Sequence, residues 1–354
     1  MISTRGAVAV RPPDPAAGER GRQVLVARRA ALDAFLRDAA GTLPPSLHRI
    51  CGYHLGWLDE KGQARAGDSG KAIRPSLAVL AAEAVGGSAE AALPAASAVE
   101  LAHNFSLVHD DVIDGDRTRR HRPTAWAVFG TGQAVLAGDA LLALAHNVLA
   151  ASGHPAAGDV AGMLSLAVLG LLEGQVEDLS FERRSDVDLA DCFRMVERKT
   201  ALLMSCACTA GATFGGGGPE QVERLRSFGR HLGVAFQLVD DLLGIWGDPE
   251  ATGKPVFSDL KNRKKTLPVV AALTSGTAAS RDLATLYYRD GVLSDAELVR
   301  AARLIERAGA RKWSDAQLEV FVSRALRDLE RAALAPEPAA ALRSVVFHVA
   351  GRFR

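Results

Sequence analysis

The chain is short of aromatic residues, which make up only 5% of its 354 positions, and alternating apolar–polar runs are equally scarce. That shortage argues against sandwiches and barrels, whose strands draw on such residues at period two. Net charge is nearly absent too: 42 Lys plus Arg stand against 41 Asp plus Glu, leaving +1. No whole-molecule field then favours nucleic acid or an anionic membrane, so any anion binding must be local. Cysteine is limited to Cys51, Cys192, Cys206 and Cys208, with no CxxC spacing. They read as reduced core residues. The longest apolar run, "MLSLAVLGLL" from Met163, is about half a membrane span, and no apolar leader opens the chain, so a cytoplasmic protein without stable membrane insertion is expected.

What is present is aliphatic and helical in period. Residues 1–22 mix Pro, Gly, Ala and Arg without periodicity and are expected to form a disordered tail, followed by one domain over 23–354. Ala- and Leu-rich segments at 24–40, 72–86, 90–112, 133–151, 158–181, 188–213, 219–246, 266–275, 295–308 and 315–334 are punctuated by Gly and Pro. Apolar residues recur at three and four, as in Val222, Leu225, Phe228, Leu232 and Val239. The expectation is an all-α fold, a single large bundle around a central cavity.

Two of these segments end in acid. Asp110, Asp111 and Asp114 form DDxxD at the end of 90–112, and i,i+4 spacing aims Asp110 and Asp114 at one point. Asp240 and Asp241 end 219–246, with Gln237 and Gly244 on the same face. Like charges so placed repel unless a cation relieves them, and hard oxygen ligands suit Mg²⁺ bridging to phosphate. An EF-hand is excluded, because Val112 and His121 would occupy ligand slots.

The basic groups lie in short patches: Lys71 and Arg74, Arg119 and Arg120, Lys199 beside Thr200, then Lys254, Lys264 and Lys265. A nucleic-acid surface needs a longer stripe. "GDPEATGKP" is no P-loop, having five residues between Gly247 and Gly253 and Pro255 where a metal-binding hydroxyl belongs. Cations set against metal-binding carboxylates instead describe a diphosphate site.

In order along the chain, "GKAIRP", "ELAHNFSLVHDDVID", "RRHRPT", "GDALLALA", "EGQVEDL", "KT", "FQLVDDLLGIWGD", "GKPVFSDL" and "KKTLP" resemble the trans-isoprenyl diphosphate synthase (polyprenyl synthetase) family over about residues 24–352. The resemblance implies Mg²⁺, up to three ions with diphosphate bound, held by Asp110, Asp111, Asp114, Asp240 and Asp241. It implies allylic diphosphate on Arg119, Lys199, Thr200, Lys254 and Lys264, with Lys265 the second choice to Lys264. Isopentenyl diphosphate is expected on Lys71, Arg74, His103 and Arg120. Gln237 and Phe236 match positions near the reacting ends, and Gln175 and Asp178 match cavity positions. The implied reaction is head-to-tail condensation to a short all-trans prenyl diphosphate by ionisation, condensation and elimination. Phe105, five residues before Asp110, is expected to floor the product tunnel, favouring C20 over C15. A homodimer is the family's usual state.

Two departures stand out. Gly244 replaces the last aspartate of a second DDxxD, and His121 stands where many members have Gly. His54, His109 and His121 receive no chemistry. The rival readings are a class I terpene cyclase, a noncatalytic subunit, or a cargo protein whose tail 1–22 loads it into a protein shell.

Overall fold

A computed structural model describes residues 15–65, 70, 72–247 and 257–352, and they are overwhelmingly helical. The chain starts with α1 (Pro15–Ala40), α2 (Pro45–His54), α3 (Ile73–Ala84) and α4 (Ala89–Ile113). A two-stranded antiparallel ribbon follows, β1 (Thr118–Arg119) against β2 (Arg122–Pro123). Then come α5 (Ala125–Phe129), α6 (Thr131–Ala151), α7 (Ala157–Phe181) and α8 (Leu189–Val196). A π turn over Glu197–Ala201 leads into α9 (Leu202–Phe214) and α10 (Pro219–Trp246). The last part holds α11 (Ser258–Lys261), α12 (Leu267–Leu273), α13 (Ala278–Tyr287), α14 (Asp295–Arg307), α15 (Ala310–Arg331) and α16 (Pro336–Gly351).

Helix α4 is the central rod. Ser88 caps it by accepting from the Ala91 amide at 3.1 Å, with Glu90 in the first turn where the helix dipole favours an anion. Nearly every side of its middle is apolar and buried, and it packs on α3, α6 and α9. One apolar cluster gathers on α4, α6 and α7, around Leu101, Leu141 and Leu164. A second joins α9, α10, α15 and α16 through Met204, Leu232, Leu329 and Val346, and a smaller one joins α12 to α14 through Leu283 and Leu304. At about 1.5–3 kcal/mol for each fully buried leucine-sized side chain, these clusters are the main reason the helices hold together. All four cysteines are free and buried.

The tail is shorter than its composition implies. Helix α1 begins at Pro15, and Ala17, Gly21 and Leu25 form a buried stripe facing α16. Small residues four apart let two helices approach closely, so the Ala and Gly that read as linker are packing residues here. Residues 1–14, and with them most of the segment considered for shell loading, lie outside the described residues.

Helices α6 and α7 are long and apolar enough, by length and composition, to cross a membrane, but α6 is half buried inside the protein. Helix α7 is different: Leu166, Leu169 and Val176 are 70%, 62% and 64% exposed and form one apolar stripe.

Candidate active site

The two acidic groups come together through a chain of polar contacts. Asp114, capping the end of α4, accepts a bond from Lys264 Nζ at 3.1 Å. Lys264 Nζ also lies 3.9 Å from Asp178 on α7, and Lys199 Nζ donates to the same Asp178 Oδ2 at 2.6 Å. The next residue, Thr200, donates to Gln237 Oε1 at 2.7 Å, and Gln237 Nε2 donates to Asp241 Oδ1 at 2.7 Å. The run from Asp114 to Asp241 thus passes through α4, the loop before α12, α7, the π turn and α10 without a break. Lys264, rather than Lys265, reaches the aspartates; Lys265 is buried over the rings of Tyr287 and Tyr288.

The π turn explains how Lys199 and Thr200 get there. A π turn fits an extra residue into a helix and pushes its side chains out of the regular spiral, a device frequent at functional sites. Gly174 makes room for it. A Cβ at Gly174 would come within 2.5 Å of the Lys199 amide nitrogen, so α7 and the turn touch backbone to backbone.

The arginine pair is delivered by the ribbon. Arg120 and His121 both have positive φ, +50° and +60°, as a tight two-residue hairpin with matching twist requires. Non-glycine residues in that region cost about 1–2 kcal/mol each. The demand for positive φ accounts for a position where Gly would be at ease. On one side of the turn Arg119 donates to Asp111 Oδ1 from Nε at 2.7 Å, with Nη2 also 2.7 Å from that oxygen in the ion pair. On the other, Arg120 lies against Gly70.

Electrostatics separate the two acidic groups. Burial raises the Asp110 carboxyl to about 6, against the pull of Lys199, Arg119 and Lys264. Asp111 is also raised by burial, opposed by its bond to Arg119. Burial works against the charge on Lys264, but Asp178 and Asp114 outweigh it and hold the ammonium above its usual range. Asp241, 3% exposed, is pushed up to about 8, first by burial, although Gln237 and the Leu267 amide at 3.1 Å both donate to it. Asp240 faces outward to Arg352, whose Nη1 is 3.0 Å away.

A second polar group, around Arg74 and His103, is buried on α3 and α4. Arg74 lies 3.1 Å from His103 Nε2 and over the face of Phe236, which Arg352 covers from another direction. His103 is driven well below the usual imidazole range, first by burial and then by Arg74 and Arg120, so it is neutral. Phe105 is buried and meets His109 edge to face at 4.8 Å, while His109 bonds to the Val135 carbonyl oxygen on α6 at 3.0 Å. Lys71 and Lys254 lie outside the described residues.

Four residues to which the sequence reading gave no role belong to this neighbourhood. Buried Glu100 counters Arg74 and Arg120. His54 lines a cavity with Asp111, Arg119 and Arg120 and is pulled down to about 3, by burial and then Arg120. Arg352 and Asp259 are the others. A lone acid in the apolar run "ASAVELAHNF" was a readable signal for Glu100.

Among the described residues no three acidic, His or Cys side chains converge into an ion cage. Mg²⁺ would take one or two of these carboxylates and complete its shell with phosphate oxygens and water. Two orphaned groups fit such a shell. Asp111 Oδ2 is buried without a partner, as are both amide atoms of Gln175 on α7. A buried polar atom without a partner costs about 1–3 kcal/mol, and bound oxygen or water would relieve it.

A family model described as polyprenyl synthetase matches residues 56–304. The (2E,6E)-farnesyl diphosphate synthase of Mycobacterium tuberculosis is 45% identical over 347 residues, covering 96% of this chain and 97% of that one. The geranylgeranyl diphosphate synthase of the same organism is 42% identical, covering 88% and 90%. Among solved structures, a polyprenyl synthetase from Streptomyces coelicolor A3(2) superposes with TM-score 0.86 at 43% identity, covering 95% and 99%. A geranylgeranyl pyrophosphate synthase from Corynebacterium glutamicum, complexed with isoprenyl diphosphate and magnesium, gives 0.77 at 26%, covering 97% and 100%.

Proposed function

The chain belongs to the polyprenyl synthetase family and is a prenyltransferase, a trans-isoprenyl diphosphate synthase, and from that premise we propose a Mg²⁺-dependent condensation of isopentenyl diphosphate with an allylic diphosphate to a short all-trans product. The observation that carries it is the unbroken polar run from Asp114 through Lys264, Asp178, Lys199, Thr200 and Gln237 to Asp241. It sets fixed cations between two carboxylate groups, where a diphosphate would lie.

Asp110, Asp111, Asp114, Asp240 and Asp241 are the groups that would hold magnesium, which when bound neutralises diphosphate oxygens. Lys199, Lys264 and Arg119 supply positive charge that needs no rearrangement as the allylic C–O bond stretches and the leaving group gains charge. Arg74, His103 and Arg120, with Lys71, hold the second diphosphate so that its double bond meets the allylic carbon. The condensed cation loses a proton to the departing diphosphate, and the aliphatic walls keep water from quenching it first. No side-chain nucleophile takes part.

On product length the reading is C20 ahead of C15. The farnesyl and geranylgeranyl relatives, 45% and 42% identical, straddle the two lengths. Phe105 lies about 7.5 Å along the helix axis from Asp110 and is the candidate floor. The test is incubation with isopentenyl diphosphate, each allylic primer and magnesium, with product-length analysis. We expect C20 from the parent chain, longer products from Phe105→Ala, and none from Asp110→Ala. An unchanged product spectrum in Phe105→Ala removes the floor; absence of any elongation by the parent removes the function.

The exposed stripe on α7 supports a homodimer, because an apolar face of that extent is stable in water only when covered. A solution mass of one chain would rule it out.

A further inference from the structure

The two arginines beside the first acidic group stand on a piece of chain that cannot hold itself. Ribbon β1–β2 has two residues in each strand, and an isolated two-stranded hairpin is marginally stable at best in water. Its turn is made by Arg120 and His121 at φ +50° and +60°, a region where a Cβ is a burden. Arg119 and Arg122 are direct partners across the ribbon, and like charges so placed repel. The ribbon therefore needs an anchor outside itself.

Arg122 supplies it. Its Nη1 donates to the Tyr53 carbonyl oxygen and its Nη2 to that of Leu58, both at 3.2 Å, so one planar fork bridges the last turn of α2 and the loop that follows. The carbonyl end of a helix carries partial negative charge, which favours a cation there. The guanidinium also lies over the Tyr53 ring, 4.3 Å from its centre, and the Tyr53 hydroxyl donates back to the Pro123 carbonyl oxygen at 2.9 Å. Tyr53 is buried and meets Phe129 of α5 edge to face at 5.2 Å. Strand β2 is thus held to α2 at two consecutive residues, Arg122 and Pro123. Opposite Arg122, Arg119 donates from Nε to Asp111 at 2.7 Å, and Arg120 in the turn lies against Gly70.

We infer that Arg122 is a positioning residue for both substrates: clamped to the end of α2, it fixes the ribbon so that Arg119 and Arg120 meet their diphosphates already in place. The inference rests on the reading of Arg119 and Arg120 as diphosphate-binding given above. The contacts of Arg122 described here are to carbonyl oxygens and a ring, so it acts through the two arginines before it. One ribbon presents a cation to each substrate, and loosening it should weaken both together. A group that touched only one diphosphate would weaken only one.

The test is steady-state kinetics on full-length variants, with isopentenyl diphosphate and an allylic diphosphate varied in turn at saturating magnesium. Arg122→Met, which keeps the reach of the side chain and removes the fork, should raise KM for both substrates about 10-fold, the scale of one hydrogen bond to a charged group, with kcat within about threefold of the parent. Arg122→Lys can reach one carbonyl oxygen but not both and should fall between. Tyr53→Phe loses only the bond to Pro123 and should raise both KM values about threefold. Arg119→Met and Arg120→Met are the controls, each expected to raise chiefly one KM. Thermal unfolding accompanies every variant: a merely structural loss lowers melting temperature and the amount of active enzyme, hence kcat, and leaves both KM values at the parent's. If Arg122→Met does not fold, Arg122→Lys and Tyr53→Phe carry the same comparison. If the controls raise KM while the Arg122 and Tyr53 variants raise neither value, or only one, this inference is overturned and the site reading stands. If the controls themselves leave KM unchanged, both fall.

Discussion

The acid at the end of α4 and the acid at the end of α10 look alike in sequence and differ in how the protein treats them. Asp111 and Asp114 are met by full cations, Arg119 at 2.7 Å and Lys264 at 3.1 Å. Asp241 is met by neutral donors, an amide side chain and a backbone N–H, and its carboxyl rises to about 8. Asp111 and Asp114 thus have positive charge supplied by the protein itself. Asp241 is desolvated and met by neutral donors while its neighbour Asp240 turns to Arg352 at 3.0 Å, so Asp241 becomes an anion cheaply only when something positive arrives. A shared motif therefore does not mean a shared electrostatic state.

The contrast can be broken most forcefully at Asp111. Asp111→Ala leaves Arg119 largely buried without its partner, a kind of change that costs about 3–5 kcal/mol, whereas Asp241→Asn removes a charge that burial already disfavours and should leave stability unchanged or slightly raised. Denaturant unfolding of both variants reads the difference, and equal losses would erase the distinction.

A smaller effect is expected at Lys264. Lys264→Met leaves Asp114 and Asp178 without the ammonium between them. It should lower stability by about 1–2 kcal/mol and kcat by about 10²-fold, since charge at the leaving group is lost. A change in KM alone would mean the lysine serves binding and not ionisation.

The smallest effect sharpens the second group alone. In protein stripped of metal, Asp241 keeps a proton that the unfolded chain releases, because its folded value of about 8 lies above the ordinary 3.8. This contribution is fully present below pH 3.8 and is lost as pH rises toward 8. Melting temperature should thus fall more steeply from pH 6 to 8 in the parent than in Asp241→Asn. Parallel curves would show that Asp241 is ionised throughout.

Much of the fold was legible where one period ran long. The segment 219–246 reads as a helix and is α10 with the same bounds, because apolar residues at three and four persist for seven turns. Helices α13 and α16 escaped despite local signals, the Thr277 cap that accepts from Ser280 and the Pro336 that opens α16. The acidic groups were legible because residue type and spacing carry them, and Lys264 was named through the family resemblance. Asp259 and Arg352 were not, since they come to α10 from 15 or more residues away in sequence, and only the folded chain supplies that distance. The break at Glu197–Ala201 was hidden for another reason: its residues fit a regular helix equally well on paper.

That break has a bearing on how the chain can change. A π turn takes one residue more than an α turn to bring the chain round, so the surplus residue is absorbed within the turn and the helix beyond it keeps its phase. Deleting a single position between 197 and 201 would straighten the rod, leave the face of α9 that carries Leu203 and Met204 on its neighbours, and draw Lys199 and Thr200 back into the regular spiral. A one-residue change of length here would be felt at the site, with the thirteen residues of α9 left in register.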